Sequence, residues 1–478
     1  MYGLRVMVGL ELALGFLGYG WFSGVQDQCA YGSELDQEVA IYDRNQDLLN
    51  ADDDPLVNFQ RQLDELQAQT NSLKEELEEA KKKNDKSISF KSPFSVKVGG
   101  QVRFDGVLTS QDEESKEYMG NVRNSFGVHD VRLTFEGTGY ENLQYRLFVV
   151  VNKNISFQDA YIRAKNTRIG DITFGNFFVE SGMESIDTNA DRPFANIDEN
   201  ASLFSLRRRF GVATRILGAE KKSRAHFGVY LPSNLATNPH RVSYDGSGLV
   251  LNTRLTSTPI LVEDEEGFTR EILHYGGSYY WVHTGSNSNL SLDVAGLRWQ
   301  SDSPSFVEAT IPMNGRAYSV TNVETAYQHE GFGTSAEGYF MSIEDNGQVF
   351  GTTVSARWIL TPGCTRTYKK EDARFGSVKM SDDALFLNYK DRTVGKSLGA
   401  WEALAKWEWT EVNNVKNIAN ATYGNAHRSV LGCNWFWNEQ TSWTFAWEHA
   451  FVDATKTVNL EKGKYGVDTL VLQGYFKF

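Results

Sequence analysis

From about residue 95 to its last residue the chain repeats one pattern, with apolar side chains at every second position and polar or charged ones between them. Val96, Val98, Val102 and Phe104 alternate with Lys97, Gln101, Arg103 and Asp105, and Val131, Leu133 and Phe135 with Arg132, Thr134 and Glu136. Trp401, Ala403, Ala405, Trp407 and Trp409 alternate in the same way with Glu402, Leu404, Lys406, Glu408 and Thr410. A period of two places the two sets on opposite faces of a β-strand. The segments run roughly 10–14 residues, against about 5–6 for a soluble strand, and that length suits a tilted strand crossing a bilayer. A soluble sandwich would turn the apolar faces to a core, whereas a closed membrane barrel turns them to lipid and lines water with the charged faces.

Aromatic placement separates the two. Tyr279-Tyr280-Trp281 and Trp435-Phe436-Trp437 cluster at strand ends, as interfacial girdles do. The chain also ends inside a strand: Leu470, Leu472, Phe476 and Phe478 share one face, and Thr469, Val471, Gln473, Tyr475 and Lys477 the other. The expected fold is an all-β transmembrane barrel of about sixteen antiparallel strands with a short N-terminal α-helical coiled coil.

Composition narrows the function classes. Forty-two glycines against nine prolines, with 29 Phe, 21 Tyr and 11 Trp, favour β-architecture with tight turns. A net charge of −13 argues against a general nucleic-acid partner, since phosphate binding needs a basic surface. Cys29, Cys364 and Cys433 cannot build a disulfide scaffold or a structural zinc site. The histidines lack metal-ligand spacing, and no nucleophile constellation or phosphate loop occurs. No enzyme activity, catalytic residue, metal or cofactor is expected.

The N-terminal part reads as an address and a stalk. Arg5 followed by Val6-Met7-Val8-Gly9-Leu10 and Leu12-Ala13-Leu14-Gly15-Phe16-Leu17 has the charge order of a signal peptide over 1–30, its cleavage site ambiguous between Gly18 and Ala30. An irregular segment follows over 31–54. Leu56, Leu63, Thr70 and Leu77 then repeat by heptads, with Phe59, Leu66, Leu73 and Ala80 three residues behind, which predicts a coiled-coil stalk over 55–83. A single amphipathic helix lying on its own domain fits the same residues. A charged linker covers 84–94 and the barrel domain 95–478.

Several blocks of the barrel region resemble the phosphate-selective porin O and P family. They are Gly99-Gly100-Gln101-Val102-Arg103-Phe104-Asp105, Gln158-Asp159-Ala160-Tyr161, Gly175-Asn176-Phe177, Ile359 to Tyr368, Gly399-Ala400-Trp401-Glu402 and Leu431-Gly432-Cys433-Asn434-Trp435-Phe436. The resemblance implies a sixteen-stranded, trimeric barrel of the bacterial outer membrane, with loops folded into its lumen. Counting strands with both chain ends on the periplasmic side places long outward loops at 109–123, 178–205, 232–247, 285–316, 412–426 and 453–467. Short turns fall near 138–141, 165–167, 329–331 and 438–440; the exception is 362–399, a long periplasmic connection. In the family such a segment folds into the pore.

The expected function is a water-filled channel for small hydrophilic solutes or ions, weakly selective and anion- or phosphate-related. The likewise open alternative is a secreted soluble β-protein that binds glycans through exposed tryptophans. Pore-lining candidates come from three places. The constriction loop offers Glu180, Glu184 and Asp187. The periplasmic segment offers Lys369, Lys370 and Arg374, and the wall offers Arg103, Arg132 and one face of Arg207-Arg208-Arg209. Acids on the loop facing bases on the wall would set a transverse field, although solvated loop charges without a transport role fit the same residues. The expected partners are membrane lipid, two further copies in a homotrimer, ions or solutes in transit, and the barrel-assembly machinery through Phe478.

Overall fold

The computed structural model describes residues 87–89 and 94–478, apart from 152–154, 188–190, 232–247, 286–288, 296–304, 382–396, 416–422 and 457–462. The signal peptide and the coiled-coil stalk lie outside the described residues.

The alternating segments form strands in chain order. They are β1 (Ser87–Ser89), β2 (Ser95–Ser110), β3 (Ser125–Gly139), β4 (Leu143–Val151), β5 (Ile155–Thr167), β6 (Gly170–Phe178), β7 (Arg208–Leu217) and β8 (Ser223–Tyr230). Then follow β9 (Leu249–Glu263), β10 (Thr269–His283), β11 (Asn289–Ala295), β12 (Ser305–Pro312), β13 (Ala317–His329), β14 (Phe332–Ile343) and β15 (Gly347–Ile359). The last are β16 (Thr365–Lys369), β17 (Arg374–Lys379), β18 (Ala400–Val415), β19 (Tyr423–Asn438), β20 (Thr441–Lys456) and β21 (Gly463–Lys477). Two short helices, α1 (Glu113–Met119) and α2 (Glu199–Leu203), lie in loops.

Sixteen of these strands make one closed antiparallel barrel. Each pairs with its neighbour, and β21 returns to β2, with Gln101 opposite Lys477 and Ser110 opposite Asp468. Beyond the last pair, the Phe478 N–H donates to the Gly100 carbonyl and the Gly100 N–H to the Phe478 carbonyl, both at 3.0 Å. Closure removes both sheet edges, which hydrocarbon would leave unsatisfied.

The polarity of the wall is inverted relative to a soluble protein. On β9, Asn252, Arg254 and Thr256 are buried toward the lumen while Leu251 and Leu255 are exposed outward; on β13, Asn322, Glu324 and Gln328 are buried and Val323 is 62% exposed. An outward apolar face with an inward charged one requires lipid outside. The soluble glycan-binding alternative fails on this point, because its apolar faces would have to meet in a core.

Two expectations about loops need correction. The segment 285–316 is not simply an outward loop: it holds the β11–β12 hairpin, with Asn289 opposite Pro312. Leu290, Leu292, Val294, Val307 and Ile311 are buried in one cluster with Val412, Ala450, Val452 and Val467 of the wall. The connections 412–426 and 453–467 are shorter than expected, since β18 runs to Val415, β19 starts at Tyr423, β20 runs to Lys456 and β21 starts at Gly463. The outward faces there turn polar (Glu411, Asn413, Asn425, Asp453), so the lipid-facing alternation stops before the strands do. The inward faces turn apolar there because the hairpin packs on them.

Candidate functional site

The long connection after β6 turns straight back into the barrel. Its ends are clipped together where the Val179 N–H donates to the Arg207 carbonyl at 2.8 Å, with Arg207 in the left-handed region at φ 56°. Gly182 (φ 149°) passes so close to the wall that an added Cβ would lie 2.6 Å from Glu337 Oε2 and 2.9 Å from the Tyr339 hydroxyl; only glycine fits there. Further on, Asn200 donates to the Thr352 carbonyl at 2.8 Å and accepts from the Thr410 hydroxyl at 2.7 Å. The Tyr280 hydroxyl donates to the Phe204 carbonyl at 2.6 Å, and Asn434 donates to the Pro193 carbonyl at 2.8 Å. The loop therefore lies inside the lumen, tied to strands from β9 to β19.

A second segment enters after β15, where β16 and β17 form a hairpin, Thr365 opposite Lys379. Arg366 makes two 2.7 Å bonds to the Glu402 carboxylate and one of 2.7 Å to the Asp191 carbonyl. Arg254 Nη2 donates to the Ala373 carbonyl at 2.9 Å and to Glu324 at 2.7 Å. Tyr368 and His274 share a 2.7 Å hydrogen bond. Both infolded segments meet: Asp191 Oδ2 accepts from Lys369 Nζ and from Arg374 Nη1, each at 2.6 Å.

This geometry fixes where the expected acids lie. Glu180 does not face open water, because Arg224 grips both of its oxygens while His226 lies at 3.3 Å and Arg254 at 3.4 Å. Burial alone would raise its pKa, yet the surrounding guanidiniums hold the carboxyl well below the usual range. Glu184 contacts Arg192 at 3.2 Å; burial, with Asp198 and Asp187 nearby, pushes it well above the ordinary value. Asp187 lies 3.4 Å from Arg374, and burial outweighs Arg374 and Arg192, so its carboxyl is pushed up to about 6. Asp198 takes Lys406 at 2.5 Å. The loop carboxylates are thus paired rather than aimed across a gap at the wall. Only Arg192 lies in the same loop as its partner; Arg224, Arg374 and Lys406 come from segments 44 or more positions away, which sequence cannot pair with the loop.

The expected cations divide. Arg374 and Lys369 join the loop as described, but Lys370 pairs with Glu263 at 2.6 Å, at the end of β9 beside its turn to β10. Arg207 donates to the Ser202 hydroxyl at 3.0 Å. Arg209, on the inward register of β7, is buried and donates to the Arg208 carbonyl at 2.9 Å. Arg208 turns to Asp159 and to Gln158, the latter at 3.1 Å.

Arg103 and Arg132 belong to a group that sequence reasoning found only in part. They bracket Asp130 at 3.0 Å and 2.7 Å. Arg146 reaches Asp159 at 3.4 Å, opposite Arg208. Arg132, Arg146 and Arg208 surround the Phe148 ring at 5.8, 5.6 and 5.5 Å, where the ring's negative face favours cations. Arg163 stands beside them, donating to Thr173 at 2.9 Å. Arg146, Arg163, Arg224 and Arg254 were missed, although each falls on the polar face of an alternating strand and phase alone would have flagged it.

Residues 96–478 match the family of phosphate-selective porin O and P. Solved structures similar to the chain include outer-membrane OmpT of Vibrio cholerae, at 10% identity and TM-score 0.47, covering 82% of this chain and 100% of that one. An anion-selective porin from Comamonas acidovorans is similar at 10% identity and TM-score 0.47, covering 80% of this chain and 100% of that one. The outer membrane channel DcaP of Acinetobacter baumannii is similar at 10% identity and TM-score 0.46, covering 82% and 99%. No curated protein sequence matches the chain. With its closed, inverted barrel and its match over most of its length, the chain belongs to the phosphate-selective porin O and P family and is a small-solute channel of the bacterial outer membrane.

Proposed function

We propose that this porin passes small hydrophilic anions with a weak preference over cations, along the arginines that line β2 to β7. One observation carries this: the infolded loop and hairpin make most of their wall ion pairs with β8 to β19, apart from Arg215 and Lys165 at the hairpin turn, whereas Arg103, Arg132, Arg146 and Arg208 pair with carboxylates of the wall itself and Arg163 with Thr173. Arg132 and Arg146 keep side-chain exposures of 18% and 29%, so their cations meet the water a solute would cross. The acids expected to repel an incoming anion, Glu180, Glu184 and Asp187, are held by cations of their own and contribute little field there. The preference is weak because Asp130 and Asp159 sit between the guanidiniums and cancel part of their charge. A tightly bound dianion would need a row of cations without such counterions.

The same reading keeps the protein a channel and not an enzyme. It assembles as a homotrimer in membrane lipid, with residues 55–83 as a coiled-coil stalk and Phe478 as the terminal signal to the assembly machinery. The heptad repeat supports the stalk, and the terminal strand, whose Phe478 pairs with Gly100, supports the signal. Arg132→Gln with Arg146→Gln tests the selectivity. In planar bilayers the double variant should lose the anion preference while single-channel conductance stays within about twofold. An unchanged reversal potential would place the ion path elsewhere.

A further inference from the structure

The loop after β6 and the β16–β17 hairpin enter the lumen from opposite ends of the barrel, since they follow strands that run in opposite directions. They meet at Asp191. Its buried carboxylate takes Lys369 and Arg374 on one oxygen, both at 2.6 Å, and its carbonyl takes Arg366 at 2.7 Å. The hairpin cations differ in what else holds them. Arg366 is fixed to the wall through Glu402 at 2.7 Å. Arg374 has further, looser carboxylates in Asp187 at 3.4 Å and Asp372 at 3.7 Å. For Lys369 the ion pair is with Asp191 alone among the described residues, and its side chain is 40% exposed. Lys369 is therefore a cation at the water's edge, offset by one buried carboxylate that it shares with Arg374.

We infer that Asp191 is a positioning residue that docks the hairpin onto the constriction loop and masks Lys369, so that it sets both the rigidity of the constriction and part of its charge selectivity. This goes beyond the proposed anion preference, because it concerns the cations of the hairpin and not the arginines of the wall. Without the carboxylate, Lys369 is free to extend into water and Arg374 keeps only its looser partners. One uncancelled charge about 7 Å from a passing ion changes its local concentration roughly threefold in a water-filled lumen. The anion-to-cation permeability ratio should then rise by roughly two- to fivefold.

The test uses the full-length porin in planar bilayers and, in parallel, limited trypsin digestion of the folded barrel. Asp191→Asn should shift the reversal potential toward anions and speed cleavage after Lys369, Lys370 or Arg374. Asp191→Glu, which keeps the charge, should restore most of both properties. Adding Lys369→Gln to Asp191→Asn should return the reversal potential but leave cleavage fast, because docking is still lost. If Asp191→Asn fails to insert, Lys369→Gln alone still decides: it should shift selectivity toward cations and leave cleavage slow, since Arg366 and Arg374 still hold Asp191. The inference is overturned if Asp191→Asn leaves both readouts at their starting values, or if Lys369→Gln leaves the reversal potential unmoved. These shifts are measured against the unmodified channel, so they stand or fall whichever ion that channel prefers.

Discussion

Glu180 offers the sharpest check on the pairing of the constriction loop. Glu180→Gln keeps the side chain's size and one acceptor but removes its charge. Arg224, 2% exposed at its side chain, loses the only carboxylate it pairs with among the described residues. Arg254, at 0%, keeps Glu324 at 2.7 Å. Stranding one buried cation costs about 3–5 kcal/mol when the site is dry. Glu180 is 14% exposed, so some lumen water reaches the pair and an expected loss of about 2–4 kcal/mol is the better figure. The assay is urea unfolding of the refolded barrel in detergent micelles, followed by tryptophan fluorescence. Arg224→Met in the same chain removes the stranded charge and should recover at least half of the loss, giving a coupling of about 2 kcal/mol. A Glu180→Gln barrel within about 0.5 kcal/mol of the unmodified one would match a solvent-screened surface pair, and would refute the buried-network reasoning.

Acidification should act through Asp187, whose carboxyl is pushed up to about 6 by burial. It is ionised at pH 7 and protonated at pH 5, so lowering the pH removes a negative charge beside Arg374; anion selectivity should rise by less than about twofold over that interval, and by a smaller amount in Asp187→Asn. Because the folded pKa lies above the unfolded one, this group's contribution to stability is present below about 4 and fades as pH rises through about 6. Deleting Phe478 removes the outermost pairing of β21 with β2, the two hydrogen bonds to Gly100; membrane yield should fall and periplasmic aggregate appear, and an unchanged yield would contradict the role given to the terminus. Deleting 50–85 should leave single-channel conductance intact while weakening subunit association on native gels; an equally stable oligomer would rule out the stalk.

The barrel was legible because membrane strands write a period of two over ten or more residues, and every expected barrel strand overlaps an observed one. The β11–β12 hairpin was not. Leu290, Leu292 and Val294 do alternate with Asn289, Ser291 and Asp293, but over only seven residues, too short to stand out as a span. Strand ends were misjudged where Asn413 and Asp453 break the outward apolar pattern, because a strand outlasting the lipid keeps its hydrogen bonds and loses its apolar face. The charges were the hardest part. Glu180, Glu184 and Asp187 read as an acidic loop; Arg192, the partner of Glu184, lies in that loop, but nothing local tells that Arg224 and Arg374 pair with the other two. Pairing across a lumen depends on how far each loop reaches inward, which side-chain periodicity does not encode.

On this reading the loop acids are neutralised and the arginines of β2 to β7 set the sign of selectivity. The most direct measurement is the zero-current potential of the unmodified channel in a planar bilayer under a tenfold KCl gradient at pH 7. A modest potential of the sign given by chloride moving faster than potassium is expected, with chloride current insensitive to micromolar phosphate. A potential of the opposite sign would mean that the carboxylates, not the guanidiniums, face the ion path, and would contradict the account.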